Sequence, residues 1–307
     1  MKNDREIKIS AITTCYKNGE KLLPAFLDSL AAQTNRERVE VVLVHYNPNE
    51  REKKMVADFQ VKNPGLLNYV VGPNENVAAA MNRGIYAAKG KYLCIWNIDD
   101  LRTPESLTLE ESALDAHPEA AFTYGDFIMV NEWQKKTGRN ITLPEFDKRE
   151  FIRSMPLGPY YMWRKEVNEK IGYFDEQYFS AADFDFSARM STEFDGVKCQ
   201  GQLGYYLDIG GGISTGKGSL SKIERTVVEL RYGSYRKVDF LYLFRARKYN
   251  IENVLNGDKW INIDLLAPHR KSYIDPIYWW LYAIVRYPFW LIRRILNHFI
   301  RVYYQKS

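Results

Sequence analysis

Two periodicities alternate over the first 120 residues of the chain. Residues 7–14, 39–45, 67–71 and 92–96 are short apolar runs bounded by polar segments, which predicts strands. Residues 22–32, 51–61 and 77–88 repeat apolar positions at helical spacing, as Val77, Ala80, Met81, Ile85 and Ala88 do, and Gly90 supplies a stop. Pro104 suits the first turn of a further helix to about residue 117, and residues 120–124 follow as another short strand. Strands alternating with helices predict an α/β fold, a mostly parallel sheet flanked by helices. No internal repeat or low-complexity segment is visible, so a solenoid is excluded.

From residue 124 to about 219 the pattern is less periodic and richer in Gly, aromatic and acidic residues, the kind of segment that carries function on a rigid sheet. Residues 179–190 predict a helix start with Asp183 and Asp185 in its first turns, where the dipole favours carboxylates. Helix capping is the plain alternative there, Asp185 being suited to it. Gly210, Gly211 and Gly212 precede Ser214 in a segment that either turns tightly or approaches another group closely. Residues 222–247 predict a helix, densely basic and aromatic.

Composition places the chain among folded globular proteins, with 46% hydrophobic and 26% charged residues over 307 positions. That length suffices for one large domain or two ordinary ones. Cys15, Cys94 and Cys199 are odd in number and lack CxxC spacing, which argues against a disulfide framework and a zinc site and favours a reducing compartment. No apolar run precedes the first strand, so no secretory signal is expected.

The net charge of +5 is confined to the tail. From Arg270 onward seven Lys or Arg stand against one acid, Asp275, leaving 36 bases and 37 acids for the rest. A near-neutral body argues against nucleic-acid binding. The tail carries Trp279, Trp280, Trp290 and six tyrosines, and its longest uncharged run, residues 276–285, falls short of the ~20 apolar residues a bilayer span needs. Arg286, Arg293, Asn297 and Arg301 are spaced by seven, four and four, which stacks them on one helical face. These features predict a C-terminal helical tail in the headgroup region of an anionic membrane, on its cytoplasmic side. The competing arrangement is a helix packed on the domain or in a dimer.

The densest chemistry lies in residues 76–100, where a helix leads into a strand that ends on Asp99 and Asp100. Open α/β sheets bind their ligands at the carboxyl ends of strands. Alternation along an extended chain predicts Asn97 and Asp99 facing one way and Asp100 the other. Such a pair can hold a hard divalent cation, since Mg²⁺ is usually bound by one or two carboxylates plus substrate phosphates. A solvated Asn-x-Asp-Asp turn is the alternative.

Over most of its first 215 positions the chain resembles the family 2 glycosyltransferases, nucleotide-sugar-dependent enzymes of the GT-A fold. Residues 9–18, ISAITTCYKN, resemble the opening strand and turn that lie against the donor nucleoside, which implies donor contacts for Thr13, Thr14 and Tyr16. Asn82, Gly84, Ala88, Gly90 and Tyr92 match the spacing N-x-G-x-x-x-A-x-G-x-Y that precedes the family's metal motif, and Asn82 joins the donor set. Asn97-Ile98-Asp99 takes the place of the Asp-x-Asp motif, which implies that Asp99 ligates Mn²⁺ or Mg²⁺ while Asn97 orients it or touches the sugar. A second block, residues 155–189, contains Gly-x-Phe-Asp-Glu, places Asp183 at the general base and matches Arg189 to a later Arg. Gly211 to Ser214 resemble the loop that closes many members' sites. Asp100, Asp185, Arg189 and Ser214 are supporting candidates.

The resemblance implies a GT-A domain over residues 1–220, with residues 1–100 as its nucleotide-binding half and 101–220 as its acceptor half, followed by the helical extension 221–307. It implies inverting transfer of a sugar from a nucleoside-diphosphate donor to a hydroxyl of a glycan acceptor, lipid-linked if the tail sits on a membrane, in surface polysaccharide or related glycan assembly. The chain departs from the family's pattern at His45, where a uridine-reading Asp is common, at Asn97, at Ala182 and at Met81. These departures imply either an altered donor specificity, with His45 in the donor set, or a catalytically degenerate, membrane-associated partner. A nucleotidyltransferase would want a Gly-rich loop near strand one, where residues 15–21 hold only Gly19.

Overall fold

The computed structural model describes residues 6–16, 19–154, 156–209, 219–232, 245–246 and 248–262, together with 242, 284–285, 288–289 and 292. The Gly210–Gly212 segment, Ser214 and the tail's basic stripe lie outside the described residues.

The first elements are β1 (Ile9–Cys15), α1 (Gly19–Ala31), β2 (Val39–Tyr46), α2 (Glu50–Lys62), β3 (Leu67–Gly72), α3 (Val77–Ala87) and β4 (Tyr92–Ile95). They follow the predicted alternation, and β1 pairs in parallel with both β2 and β4 while β2 pairs in parallel with β3. Then come β5 (Leu101–Arg102), α4 (Ser106–Ala116), β6 (Ala120–Val130), β7 (Arg139–Ile141), α5 (Lys148–Ser154), β8 (Tyr161–Arg164), α6 (Val167–Ile171), α7 (Ala182–Glu193) and β9 (Asp195–Leu207). The chain continues through α8 (Ser219–Tyr232), β10 (Asn253–Asn256) and β11 (Lys259–Asn262).

Among the described residues one sheet runs β3-β2-β1-β4-β8-β6-β9-β5, with β7 on β6. The expectation of a mostly parallel sheet holds for β3-β2-β1-β4 and for the β6–β9 pair. Beyond β4 the sheet is mixed, because β8 runs antiparallel to both β4 and β6, and β5 antiparallel to β9. Residues 253–262, within the stretch expected to be a helical extension, form a β-hairpin instead.

Strand alternation divides the interior into two layers. Ile9, Ala11, Cys15, Val41 and Leu43 pack with Leu23, Phe26, Leu27 and Leu30 of α1, with Val56 and Phe59 of α2, and with Leu107 and Leu114 of α4. Ile12, Val42 and Val44 face the other way, onto Ala78, Ala80 and Ile85 of α3, in a layer continued by Phe151 of α5 and by Phe184, Phe186 and Met190 of α7. The carboxyl ends of β1, β2 and β4 stand side by side in this three-layer arrangement.

Candidate active site at the carboxyl edge of the sheet

Strand alternation also sorts the residues expected to hold a donor. Thr13 and His45 point into the layer under α1 and α2. Thr13 is buried and donates its hydroxyl to the Trp96 carbonyl at 2.8 Å, joining β1 to the chain leaving β4. His45 is buried between the Tyr69 hydroxyl, 3.2 Å from its Nδ1, and Glu52, 3.5 Å from its Nε2. Burial lowers its pKa although the Glu52 charge opposes this. The Glu52 carboxylate in turn accepts the N–H groups of Glu20 at 3.1 Å and Asn49 at 2.9 Å, so it serves the first turns of α1 and α2 together.

Thr14 and Tyr16 lie on the opposite face and are partly exposed. The Tyr16 hydroxyl donates to the Glu75 carbonyl at 2.5 Å, and its ring lies 5.8 Å from that of Tyr46. Beside them Arg83 forks onto Glu75 at 2.7 and 2.8 Å, a half-exposed cation on α3 that the sequence reading missed. Asn82 is committed elsewhere: its amide donates to the Phe174 carbonyl and Glu176, and its oxygen accepts the Phe174 N–H at 2.9 Å. This buried pairing ties α3 to the segment before α7.

After β4 the chain turns. The Asp100 N–H donates to the Asn97 carbonyl at 3.1 Å, and the Asn97 side chain donates to the Asp100 carboxylate at 3.1 Å. The expectation that Asn97 and Asp99 share a face opposite Asp100 is therefore corrected, because residues 97–100 form a closed turn in place of extended chain. Asp99 stands at the exposed tip and Asp100 is buried beneath it. The other Asp100 oxygen accepts the Leu207 N–H at 3.2 Å. Burial, then the neighbouring Asp99 charge, pushes Asp100 up to about 8, and desolvation raises Asp99 as well.

Two devices hold this turn in place. The Leu101 carbonyl accepts the Tyr160 hydroxyl at 3.1 Å, while β5 pairs with β9. Arg102, fully enclosed, pairs with Glu110 and lies between the rings of Trp96 at 5.5 Å and Tyr160 at 5.2 Å.

Asp183 opens α7 on the same edge. It is partly exposed, its carboxylate accepts the Phe184 N–H at 2.7 Å, and burial raises it to about 6. Two adjacent tyrosines report its position relative to the turn. Both are buried and held well above the usual phenol range by burial first; Tyr160 then feels Asp100 and Asp99, while Tyr161 feels Asp183. Tyr161 opens β8, which runs antiparallel to β4, so it lies beside the carboxyl end of β4. The turn acids and Asp183 thus act on neighbouring residues of one dipeptide.

Asp185 and Arg189 belong to the interior. Asp185 accepts from Arg189 at 2.8 Å and from Arg231 of α8 at 2.5 Å, and Arg231 also reaches Asp175 at 2.9 Å. Burial would raise Asp185, but the two guanidinium groups hold it below the usual range. The alternative of a capping role for Asp185 does not hold: its carboxylate is taken up by Arg189 and Arg231, and Ala181 at the N-cap makes no side-chain cap hydrogen bond. Glu224 of α8 holds the segment that leads into the helix, accepting the N–H groups of Phe179 at 3.0 Å, Ser180 at 2.7 Å and the N-cap residue Ala181 at 3.2 Å. Neither Arg231 nor Glu224 carried a sequence signal beyond lying in a helical stretch.

A metal fits the turn on the chemistry of its donors. Asp99 carries no ion pair among the described residues, and a carboxylate at an exposed tip is a hard oxygen donor. No three His, Cys, Asp or Glu side chains converge there or elsewhere among the described residues. A cation at Asp99 would then complete its shell with ligand oxygens, as Mg²⁺ commonly does.

Comparison with known proteins gives the family and the fold. The sequence model described as Glycosyl transferase family 2 matches residues 10–172. An uncharacterized glycosyltransferase, MJ1057, of Methanocaldococcus jannaschii is 20% identical over 59% of this chain and 63% of its own length. A PGL/p-HBAD biosynthesis glycosyltransferase of Mycobacterium bovis is 29% identical over 56% of this chain and 65% of its own. The chain thus spans somewhat under two thirds of these relatives. The crystal structure of S. aureus TarS 1-349 in complex with UDP-GlcNAc superposes with a TM-score of 0.56 at 21% identity, over 73% of this chain and 65% of that one.

Proposed function

Because the chain belongs to glycosyl transferase family 2, we propose that it transfers a sugar from a nucleoside-diphosphate donor to a hydroxyl of a glycan acceptor, with inversion. The observation that carries this reading is that the Asp99–Asp100 turn follows directly on β4 while Asp183, in the first turn of α7, acts electrostatically on Tyr161, which opens β8 beside the carboxyl end of β4. Residues 1–220 form the transferase unit in this reading, with the donor held by the first hundred residues and the acceptor by the rest.

Asp183 takes the proton of the acceptor hydroxyl as the oxygen bonds to the anomeric carbon. The bond from that carbon to the donor diphosphate breaks, and its electron pair leaves with the diphosphate. A pKa near 6 suits the task, since the group is ionised at neutral pH yet more basic than an ordinary carboxylate. Asp99, with Asp100 behind it, would hold a Mn²⁺ or Mg²⁺ ion, whose Lewis acidity stabilises charge on the leaving diphosphate. Thr14 and Tyr16 are the donor candidates with open faces. Thr13, His45 and Asn82 act by holding the strand ends and α3 on which the donor rests.

An anionic membrane surface is the proposed partner, and a lipid-linked glycan in surface polysaccharide assembly the proposed acceptor. Val285, Phe289 and Ile292 are 65%, 72% and 55% exposed, and in the sequence Val285 and Ile292 each stand next to an arginine of the tail. No helix among the described residues is long and apolar enough to cross a membrane. The relative named for PGL/p-HBAD biosynthesis supports a role in glycan assembly.

The test is equilibrium binding of UDP, GDP, dTDP and CDP, each with Mn²⁺, with Mg²⁺ and with metal removed, on the full chain and on Asp99→Ala. Metal-dependent binding of one nucleotide, lost in the variant, is the expected result. Absence of binding under every condition overturns the reading in favour of a non-catalytic partner.

A further inference from the structure

α7 starts without a cap of its own. Its N-cap residue is Ala181, whose side chain accepts nothing, and the first-turn N–H groups of a helix must find partners elsewhere. Within the first turn the Asp183 carboxylate accepts the Phe184 N–H, and the N-cap residue with the two residues before it is held from a different helix, more than forty residues on. Glu224, 1% exposed, accepts the N–H groups of Phe179, Ser180 and Ala181, the Ser180 hydroxyl at 3.1 Å and the Tyr249 hydroxyl at 3.1 Å. Five donors on one buried carboxylate fix the backbone just before Asp183. The next residue, Arg225, is half-exposed and lays its guanidinium 4.9 Å from the ring centre of Phe184, the residue after Asp183. Further along α8, Arg231 grips Asp185.

We propose that Glu224 and Arg225 are positioning residues for Asp183: α8 holds the segment leading into α7 through the Glu224 carboxylate and sets the field at Asp183 through the opposite charges of Glu224 and Arg225, the latter also paired with Glu229 at 3.4 Å. The catalytic meaning of this rests on the reading of Asp183 as the general base; the geometry does not. The charged groups that act on Asp183 are Glu224, which raises its pKa, and Arg225, which lowers it, both from α8; the phenol of Tyr161 faces it from β8. On α7 itself the Phe184 N–H opposes protonation. α8 therefore carries two charges of opposite sign against one carboxylate, and either can be removed without touching Asp183.

The experiment is a carboxyl ¹³C NMR titration of Asp183 in the full chain, in Glu224→Gln and in Arg225→Gln, with amide exchange at Ser180 and Ala181 measured alongside. Arg225→Gln is a change at a half-exposed position that leaves the Glu224 contacts intact; it raises the Asp183 midpoint and leaves exchange at Ser180 and Ala181 unchanged. Glu224→Gln lowers the midpoint and speeds exchange at those amides by about tenfold or more, because Gln offers one acceptor where the carboxylate offered two. A midpoint that stays at its wild-type value in Arg225→Gln overturns the proposal, and so does unchanged exchange in a folded Glu224→Gln. These readouts need no substrate, so a failure of the transferase reading, seen as absent nucleotide binding, is distinguishable from a failure of this one.

Discussion

The side-chain amide of Asn97 donates to the carboxylate of Asp100 at 3.1 Å, closing the turn on whose tip Asp99 stands. Asn97 thus acts on the second acid of the motif and leaves the first free. Its donor favours the ionised form of Asp100, as does the Leu207 N–H, against burial and the charge of Asp99.

Removing that donor shifts the balance further. In the metal-free chain Asn97→Ala raises the Asp100 midpoint above its already elevated value of about 8, measured by carboxyl NMR. The sign for stability follows from linkage. A folded carboxyl raised above its unfolded value keeps a proton that the unfolded chain has lost, so stability is fully present below about pH 4 and falls as pH rises through the folded value. Urea unfolding at pH 5 and pH 8 should show the metal-free wild type losing roughly 2–5 kcal/mol through this group. A higher stability at pH 8 than at pH 5 would contradict the burial of Asp100.

Arg231 binds three parts of the chain at once. Its guanidinium serves Asp185 and Asp175 and donates to the carbonyls of Asn250, Ile251 and Asn253, which lead into β10. Arg231→Met leaves two buried carboxylates with Arg189 as their remaining buried cation, an uncompensated charge that costs about 3–5 kcal/mol. The loss is expected as a lower urea midpoint and as faster amide exchange in Asn253–Asn256, with exchange in β1 and β2 tracking only the global change. An exchange rate in β10 no faster than in β2 would show that the hairpin does not depend on the clamp.

The motif that resembles a donor-binding signature is legible in the sequence for a different physical reason. A Cβ on Gly84 would meet Ile12 at 2.4 Å, and one on Gly90 would meet the Ser10 backbone nitrogen at 2.6 Å, so both glycines let α3 and its exit approach β1. Asn82 spends its amide on Phe174. These residues build the floor of the site without reaching into it. The parallel half was legible because each strand and helix there repeats its own period. The mixed half was not: β6 and β9 are long, pair with register shifts at Asp126, and interleave polar and apolar residues without a clean period. Asp183 was visible through its motif, whereas Glu224 and Arg231 act across more than forty residues, a distance at which no local pattern reports a contact.

Asp183 carries the last consequence, a conflict between stability and turnover. Its folded pKa of about 6 lies above the unfolded value, so the fold bears the cost of ionising it at every pH above that point. Asp183→Asn keeps an oxygen that can accept the Phe184 N–H and removes the charge. Below about pH 4 the aspartate is protonated in both states and the substitution changes little. Between pH 4 and 6 the advantage of Asn grows, reaching about 1–3 kcal/mol by pH 8. The same variant loses the base, with an expected fall in turnover of roughly 10²–10⁴-fold. Urea midpoints at pH 4 and pH 8, set beside sugar-transfer rates once a donor is found by the nucleotide screen, test both halves. A variant more stable at pH 8 and inactive places a strained, desolvated carboxylate at the centre of the chemistry. A variant more stable yet fully active would keep the electrostatics and move the general base elsewhere on the sheet edge.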